Sequence, residues 1–198
     1  MNKKIAIYGW AFNPPTLWHK FVIKEVLEQS QTVEKLILVP DGIREDKEYG
    51  ISMEHKLELA KLFHEDLVKE WLNVSLDTHF LEWKNGWNTC TVQVDEYFKK
   101  LYWWPVTHVF WSDVVNEIGN WVWNENGHIE KNLKKVIIHR KGYDFDKKKI
   151  ENYEFISSQP LSISSTMVRE RIKILEQVED LLIPQVAVSY THLTLPTN

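Results

Sequence analysis

Short apolar runs alternate with longer stretches of helical periodicity along the 198-residue chain. Residues 4–8 (KIAIY) run into Gly9, the pattern of a buried strand meeting a tight turn. Over residues 17–29, Leu17, Phe21, Val22, Val26 and Leu27 fall on one helical face. Residues 35–40 read as a second strand stopped by Pro40, with a polar loop after it. Ser52 opens a helix reaching about Lys69, with Leu57, Ala60, Leu62 and Leu67 as its apolar set. Residues 73–80 alternate as a half-buried strand does, and a helix is expected from Thr91 to about Leu101. Residues 106–110, 135–139 and 153–157 complete the candidate strands, with helices expected over 113–121 and 166–176. Pro184 interrupts a last apolar stretch. This alternation predicts an α/β fold, a Rossmann-like doubly wound parallel sheet of five to six strands with helices on both faces.

Composition narrows the class. The 43% apolar and 26% charged fractions belong to an ordinary folded chain, and no apolar run is long enough to span a bilayer or act as a signal peptide. The single cysteine, Cys90, excludes an internal disulfide framework and a cysteine-based zinc site. His55, His64, His79, His108 and His128 lack metal-ligand spacing, so no metal site is expected. A net charge of −4 argues against a nucleic-acid binder. The expectation is a cytoplasmic, single-domain protein over residues 1–188, with no membrane partner; the sequence permits a homo-oligomer. Residues 189–198 (SYTHLTLPTN) resemble translated sequencing-adaptor DNA and are expected to be a non-native tail.

In an open parallel sheet, ligands bind beyond the carboxyl ends of the strands, so the turn after the first strand carries the chemistry. It reads Gly9-Trp10-Ala11-Phe12-Asn13-Pro14-Pro15-Thr16-Leu17-Trp18-His19. Thr16 and His19 fall three residues apart in a first helical turn, where open N–H groups attract anions. Taken alone, the segment also fits a proline-rich turn with an N-cap Thr16 and a surface His19. Residues 163–169 (Ile163-Ser164-Ser165-Thr166-Met167-Val168-Arg169) offer a second anion site: hydroxyls, open N–H groups and one guanidinium within a turn.

The first segment resembles the G-G-x-F-x-P-x-[HT]-x-G-H signature of the nucleotidylyltransferase superfamily, with Gly9, Phe12, Pro14, Thr16 and His19 in register. The second resembles the I-S-S-T-x-[IV]-R signature of the same superfamily. Between them, Thr89 and Thr91 lie in a segment similar to T-Y-T-[VI] of nicotinate- and nicotinamide-nucleotide adenylyltransferases. Ser112-Asp113 with Trp121, and the weaker Arg140 stretch, echo that group's G-[SA]-D…W and R-x-G-Y elements. The resemblance covers roughly residues 3–176.

It implies an enzyme of NAD biosynthesis that joins nicotinate or nicotinamide mononucleotide to the AMP moiety of ATP, releasing pyrophosphate, with Mg²⁺ accompanying ATP. It implies catalytic roles for His19, Lys47 and Arg169. ATP would be held by Gly9, Trp10, Ala11, Phe12, Thr16, His19, Ser112, Asp113, Ile163, Ser164, Ser165, Thr166 and Arg169. The mononucleotide would meet Asn13, Lys47, Thr89, Thr91, Trp121 and Arg140. Lys47 also fits as one charge of a solvated loop, Asp113 as a helix cap and Trp121 as core packing. Relatives that act on phosphopantetheine or a polyol phosphate are the alternative within the class. A non-catalytic nucleotide-binding protein is the alternative outside it.

Three positions depart from the resemblance. Trp10, Trp18 and Trp111 stand where the superfamily has glycine, and indoles there would fill space meant for phosphates. The chain has 10 tryptophans and 7 glycines, against roughly 14 glycines at ordinary usage of about 7%. One cause explains both anomalies: UGA codons that some bacteria decode as glycine, read under a code in which they mean tryptophan. Trp87 and one of Trp103 or Trp104 are further candidates.

Overall fold

The computed structural model describes residues 4–42, 50–81, 91–119, 126–140, 142–159 and 161–194. Among them, six strands form one sheet: β1 (Ile5–Trp10), β2 (Lys35–Pro40), β3 (Val74–Leu76), β4 (Thr107–Trp111), β5 (Lys134–Ile138) and β6 (Tyr153–Ile156). The order is β3-β2-β1-β4-β5-β6 and every neighbouring pair is parallel. The helices are α1 (Leu17–Gln29), α2 (Met53–Lys69), α3 (Thr91–Tyr102), α4 (Ser112–Gly119), α5 (Asn126–Lys131), α6 (Ser165–Lys173) and α7 (Pro184–Thr194). The fold is α/β and Rossmann-like, as the alternation predicts.

Period-two geometry sends alternate strand residues to opposite faces, and both faces are covered. Ala6 and Tyr8 of β1 join Leu36 and Leu38 of β2 in one core with Val22, Ile23 and Val26 of α1 and Leu59 and Phe63 of α2. Ile5, Ile7, Ile37 and Val39 point the other way, onto Val94 and Phe98 of α3. On α2 the fully buried residues are Lys56, Leu59, Ala60, Phe63 and Leu67, whereas Leu57 and Leu62 are only half-buried. The apolar face of α2 is therefore rotated from the one the sequence suggests.

Two further elements differ from expectation. β3 spans Val74–Leu76 rather than residues 73–80, because it lies at the sheet edge and pairs only with Leu36, Ile37 and Leu38 of β2. Pro184 opens α7 instead of ending an element, the first-turn position where a missing N–H costs nothing. Residues 189–194 of the adaptor-like segment continue that helix. Tyr190 is buried, and Ser189 Oγ donates to Glu58 Oε1 of α2 at 3.1 Å.

Candidate active site

The sheet order reverses direction between β1 and β4, so the crevice beyond their carboxyl ends is the place where a parallel sheet accepts a ligand. A cleft of about 410 Å³ opens there. Its wall is built from five parts of the chain: the end of β1 with the turn after it, the first turn of α1, the end of β4, Arg140 after β5, and the start of α6.

The turn after β1 is fixed from below. Phe12 adopts φ 46°, a left-handed conformation rare for an aromatic residue, and its ring is buried at 2% exposure. That ring packs edge-on against Tyr8 at 5.8 Å and lies 5.2 Å from the His19 imidazole. Thr16 caps α1, and its backbone N–H donates to His19 Nδ1 at 3.0 Å. A backbone N–H can only donate, so Nδ1 is the acceptor and the neutral ring carries its proton on Nε2. Nε2 is buried and has no hydrogen-bond partner. Burial among Tyr8, Phe12 and Trp111 lowers the His19 pKa from 6.5 to about 3. His19 is therefore a neutral donor at the cleft wall whose Nε2–H finds no acceptor within the protein.

The opposite wall comes from the far end of the chain. Ser164 caps α6, its Oγ accepting the Met167 N–H at 3.1 Å. Ser165 Oγ donates to the Pro14 carbonyl at 2.8 Å, and Arg169 Nη1 donates to the Asn13 carbonyl at 2.8 Å. Arg169 Nη2 also donates to Thr166 Oγ1 at 3.1 Å. These bonds clamp the α6 N-terminus onto the turn after β1. The N-terminus of α6, the hydroxyls of Ser165 and Thr166 and the Arg169 guanidinium thus share one opening with the His19 ring, the chemistry of an oligophosphate site.

A second cation closes the β4–β5 side. The Arg140 N–H donates to Ser112 Oγ at 2.9 Å, and its guanidinium pairs with the Asp113 carboxylate. The same guanidinium lies 5.6 Å from the Trp111 ring centroid.

Of the residues singled out in the sequence, Trp10, Ala11, Asn13, His19, Arg140, Ile163, Ser164, Ser165, Thr166 and Arg169 line the cleft. Phe12, Thr16 and Ser112 are buried and do not line it; Gly9 sits at the end of β1 and Asp113 meets Arg140. Thr91 starts α3 and is not part of this wall. Lys47, Thr89 and Trp121 lie outside the described residues.

Trp18 and Trp111, not among the assigned binding residues but expected to intrude on the phosphate space, also line the cleft. Sequence reasoning missed Lys56, fully buried at 0% exposure, whose ammonium donates to the Asp41 carbonyl at 2.6 Å and pairs with its carboxylate. The available signal was a lysine at a core position of α2, one turn before Leu59 and Ala60. Among the described residues, no cluster of His, Cys, Asp and Glu could hold a metal ion, and no helix is long and apolar enough to cross a membrane.

Comparisons with known proteins bear on the family and the fold. A probable nicotinate-nucleotide adenylyltransferase of Clostridium acetobutylicum is 28% identical over 196 residues, covering 91% of this chain and 92% of that one. A probable nicotinate-nucleotide adenylyltransferase/Ap4A hydrolase of Mycoplasma genitalium is 28% identical over 201 residues. The match spans 96% of this chain but only 51% of that longer protein. The structure of Plasmodium falciparum nicotinic acid mononucleotide adenylyltransferase, complexed with NaAD, superposes with a TM-score of 0.80 at 21% identity. That match covers 96% of both chains and shows a shared fold. Residues 7–171 match the cytidylyltransferase-like family, and the chain belongs to it.

Proposed function

We propose that this protein is a nicotinate-nucleotide adenylyltransferase of NAD biosynthesis, joining a pyridine mononucleotide to the AMP moiety of ATP. The observation that carries the reading is the buried Nε2–H of His19, lacking an acceptor in a cleft whose other wall is Arg169 and the α6 N-terminus. The Clostridium and Mycoplasma relatives, both named for this activity, support the same reading.

A phosphate oxygen of the mononucleotide attacks the α-phosphorus of ATP in line. The new P–O bond forms as the bond to the β-phosphate oxygen breaks, and pyrophosphate leaves with that electron pair. No protein nucleophile is required, so positioning and charge stabilisation supply the rate. His19 donates Nε2–H to the α-phosphate, where charge is redistributed in the transition state. Arg169, Ser165 and Thr166, with the open N–H groups of α6, hold the β- and γ-phosphates. Arg140, fixed by Asp113 and Ser112, faces the mononucleotide side of the cleft. Lys47, which follows β2 in the sequence, is assigned as a further cation. Among the described residues no carboxylate cluster would hold a metal ion, so Mg²⁺ would arrive as its ATP complex and would supply charge neutralisation to the triphosphate beside Arg169.

A substrate panel tests this. Pyrophosphate release is measured with ATP and nicotinate mononucleotide, nicotinamide mononucleotide, phosphopantetheine or a polyol phosphate. The chain as written and a W10G/W18G/W111G variant are assayed in parallel, since those indoles share the cleft. Release with a pyridine mononucleotide alone is expected. Release only with phosphopantetheine or a polyol phosphate would overturn the substrate assignment.

A further inference from the structure

Two helices in this chain end on a tryptophan in the left-handed backbone region. After α2 and its cap Glu70, Trp71 adopts φ 62°. The Trp71 N–H returns to the Val68 carbonyl at 2.9 Å and the Leu72 N–H to the Leu67 carbonyl at 3.2 Å. This is a Schellman turn, and its left-handed position ordinarily belongs to glycine. After α3, Trp103 adopts φ 61° and its N–H returns to the Lys99 carbonyl at 2.9 Å, the simpler form of the same ending. Neither indole packs against the protein: Trp71 is 95% exposed and Trp103 87%. A large apolar side chain thus sits in water, on a backbone that a Cβ atom strains. α6 ends on Leu175 at φ 58°, so a side chain can be tolerated there. Positions 71 and 103 differ in sharing one residue type, and that type is in excess in a chain short of glycine.

The cleft repeats the pattern in another setting. Trp10 ends β1, Trp18 lies in the first turn of α1 and Trp111 ends β4. Strand order brings the three together: Trp10 stacks on Trp111 at 5.4 Å, and Trp18 lies 4.5 Å from Trp111. All three line the opening between His19, Arg140 and Arg169, the groups suited to bind an anion. Side chains at these positions take up room beside the cations and the N-terminus of α6, where a phosphate would sit. An anion site walled by cations and the start of α6, yet narrowed by three apolar indoles, is in conflict with itself.

We propose that the working form of this protein carries glycine at positions 10, 18, 71, 103 and 111. The tryptophans then reflect UGA codons read under the wrong one of two genetic codes. The cap positions rest on backbone geometry alone; the cleft positions also rest on the nucleotide reading given above. Five such exchanges bring glycine close to its usual share of about 7%. The exchanges at 10, 18 and 111 also remove three indoles from the wall of the cleft.

Three measurements separate the parts. The codons of the source gene are expected to be UGA at all five positions, and UGG at 10, 18 or 111 would overturn the proposal for the cleft. W71G/W103G is expected to raise the thermal midpoint with no ligand present; an unchanged or lower midpoint would overturn it for the caps. W10G/W18G/W111G is expected to bind ATP at least about tenfold more tightly than the chain as written. Equal, measurable affinity in both would overturn the claim that the indoles narrow the site. UGA codons and a stabilised cap variant, with no ATP binding by either chain, would leave the glycine assignment standing and remove the adenylyltransferase reading instead.

Discussion

Arg169 Nη1 donates to the carbonyl oxygen of Asn13 at 2.8 Å, joining two residues 156 positions apart in sequence. This bond seats the N-terminus of α6 on the turn after β1, so both anion-binding segments face one opening. Replacing Arg169 with alanine removes a donor to the Asn13 carbonyl together with a charge facing the cleft. In the W10G/W18G/W111G background, KM for ATP is expected to rise by about one to two orders of magnitude. Arg169→Lys should recover only part of this, because an ammonium cannot bridge Asn13 and Thr166 as a planar fork does. Full recovery in the lysine variant would show that the fork geometry is unimportant.

His19 offers one hydrogen bond that finds no acceptor within the protein. His19→Ala in the same background is expected to lower kcat by about a hundredfold, the usual loss for one transition-state donor. The α1 cap is weakened too, so circular dichroism should accompany the kinetics. Near-normal turnover by a folded variant would remove His19 from the mechanism.

The buried imidazole also predicts how acid affects the free protein. Its folded pKa is about 3 against an ordinary 6.5, so the unfolded chain binds the proton first as pH falls. Stability from the neutral ring is complete above pH 6.5 and is lost as pH drops from 6.5 towards 3. Within that window the loss is on the order of 1.4 kcal/mol per pH unit. Urea titrations from pH 7 to 4 should show this slope in the parent and a flatter one in His19→Gln. The same slope in both would place the acid sensitivity elsewhere.

Lys56, fully buried, pairs with the largely buried Asp41, and the two lie on either side of Lys47 in the sequence. Lys56→Met is expected to destabilise the fold by about 3–5 kcal/mol, because a carboxylate then lacks the ammonium that neutralises it. Lys56→Met combined with Asp41→Leu should regain much of the loss. A single-variant cost below about 1 kcal/mol would show that the pair behaves as a surface contact.

The strands were legible because their apolar runs have hard boundaries. Lys35–Pro40 forms as read, with a polar segment before it and a proline at its end. β3 was overextended because alternation reports an amphipathic extended segment, whereas a strand also needs a partner, and β2 offers one over three residues. The face of α2 was misjudged because Leu57 and Leu62 compete with Leu59 and Phe63 on hydrophobicity alone. Packing against β1 and β2 decided between them. At the site, each anion-binding segment could be seen in its own stretch of sequence. The meeting of Trp10, Trp18 and Trp111 could not, because it depends on β1 and β4 being sheet neighbours, 100 residues apart along the chain. Nor could the backbone of Trp71 be seen, since a left-handed cap looks like any helix end in the sequence.

A crystal structure of the W10G/W18G/W111G chain with a non-hydrolysable ATP analogue tests the shared pocket most directly. One triphosphate should accept hydrogen bonds from both His19 Nε2 and the Arg169 guanidinium, at about 2.7–3.2 Å. An analogue bound elsewhere, or touching one of these groups while the other stays more than a hydrogen bond away, would contradict it.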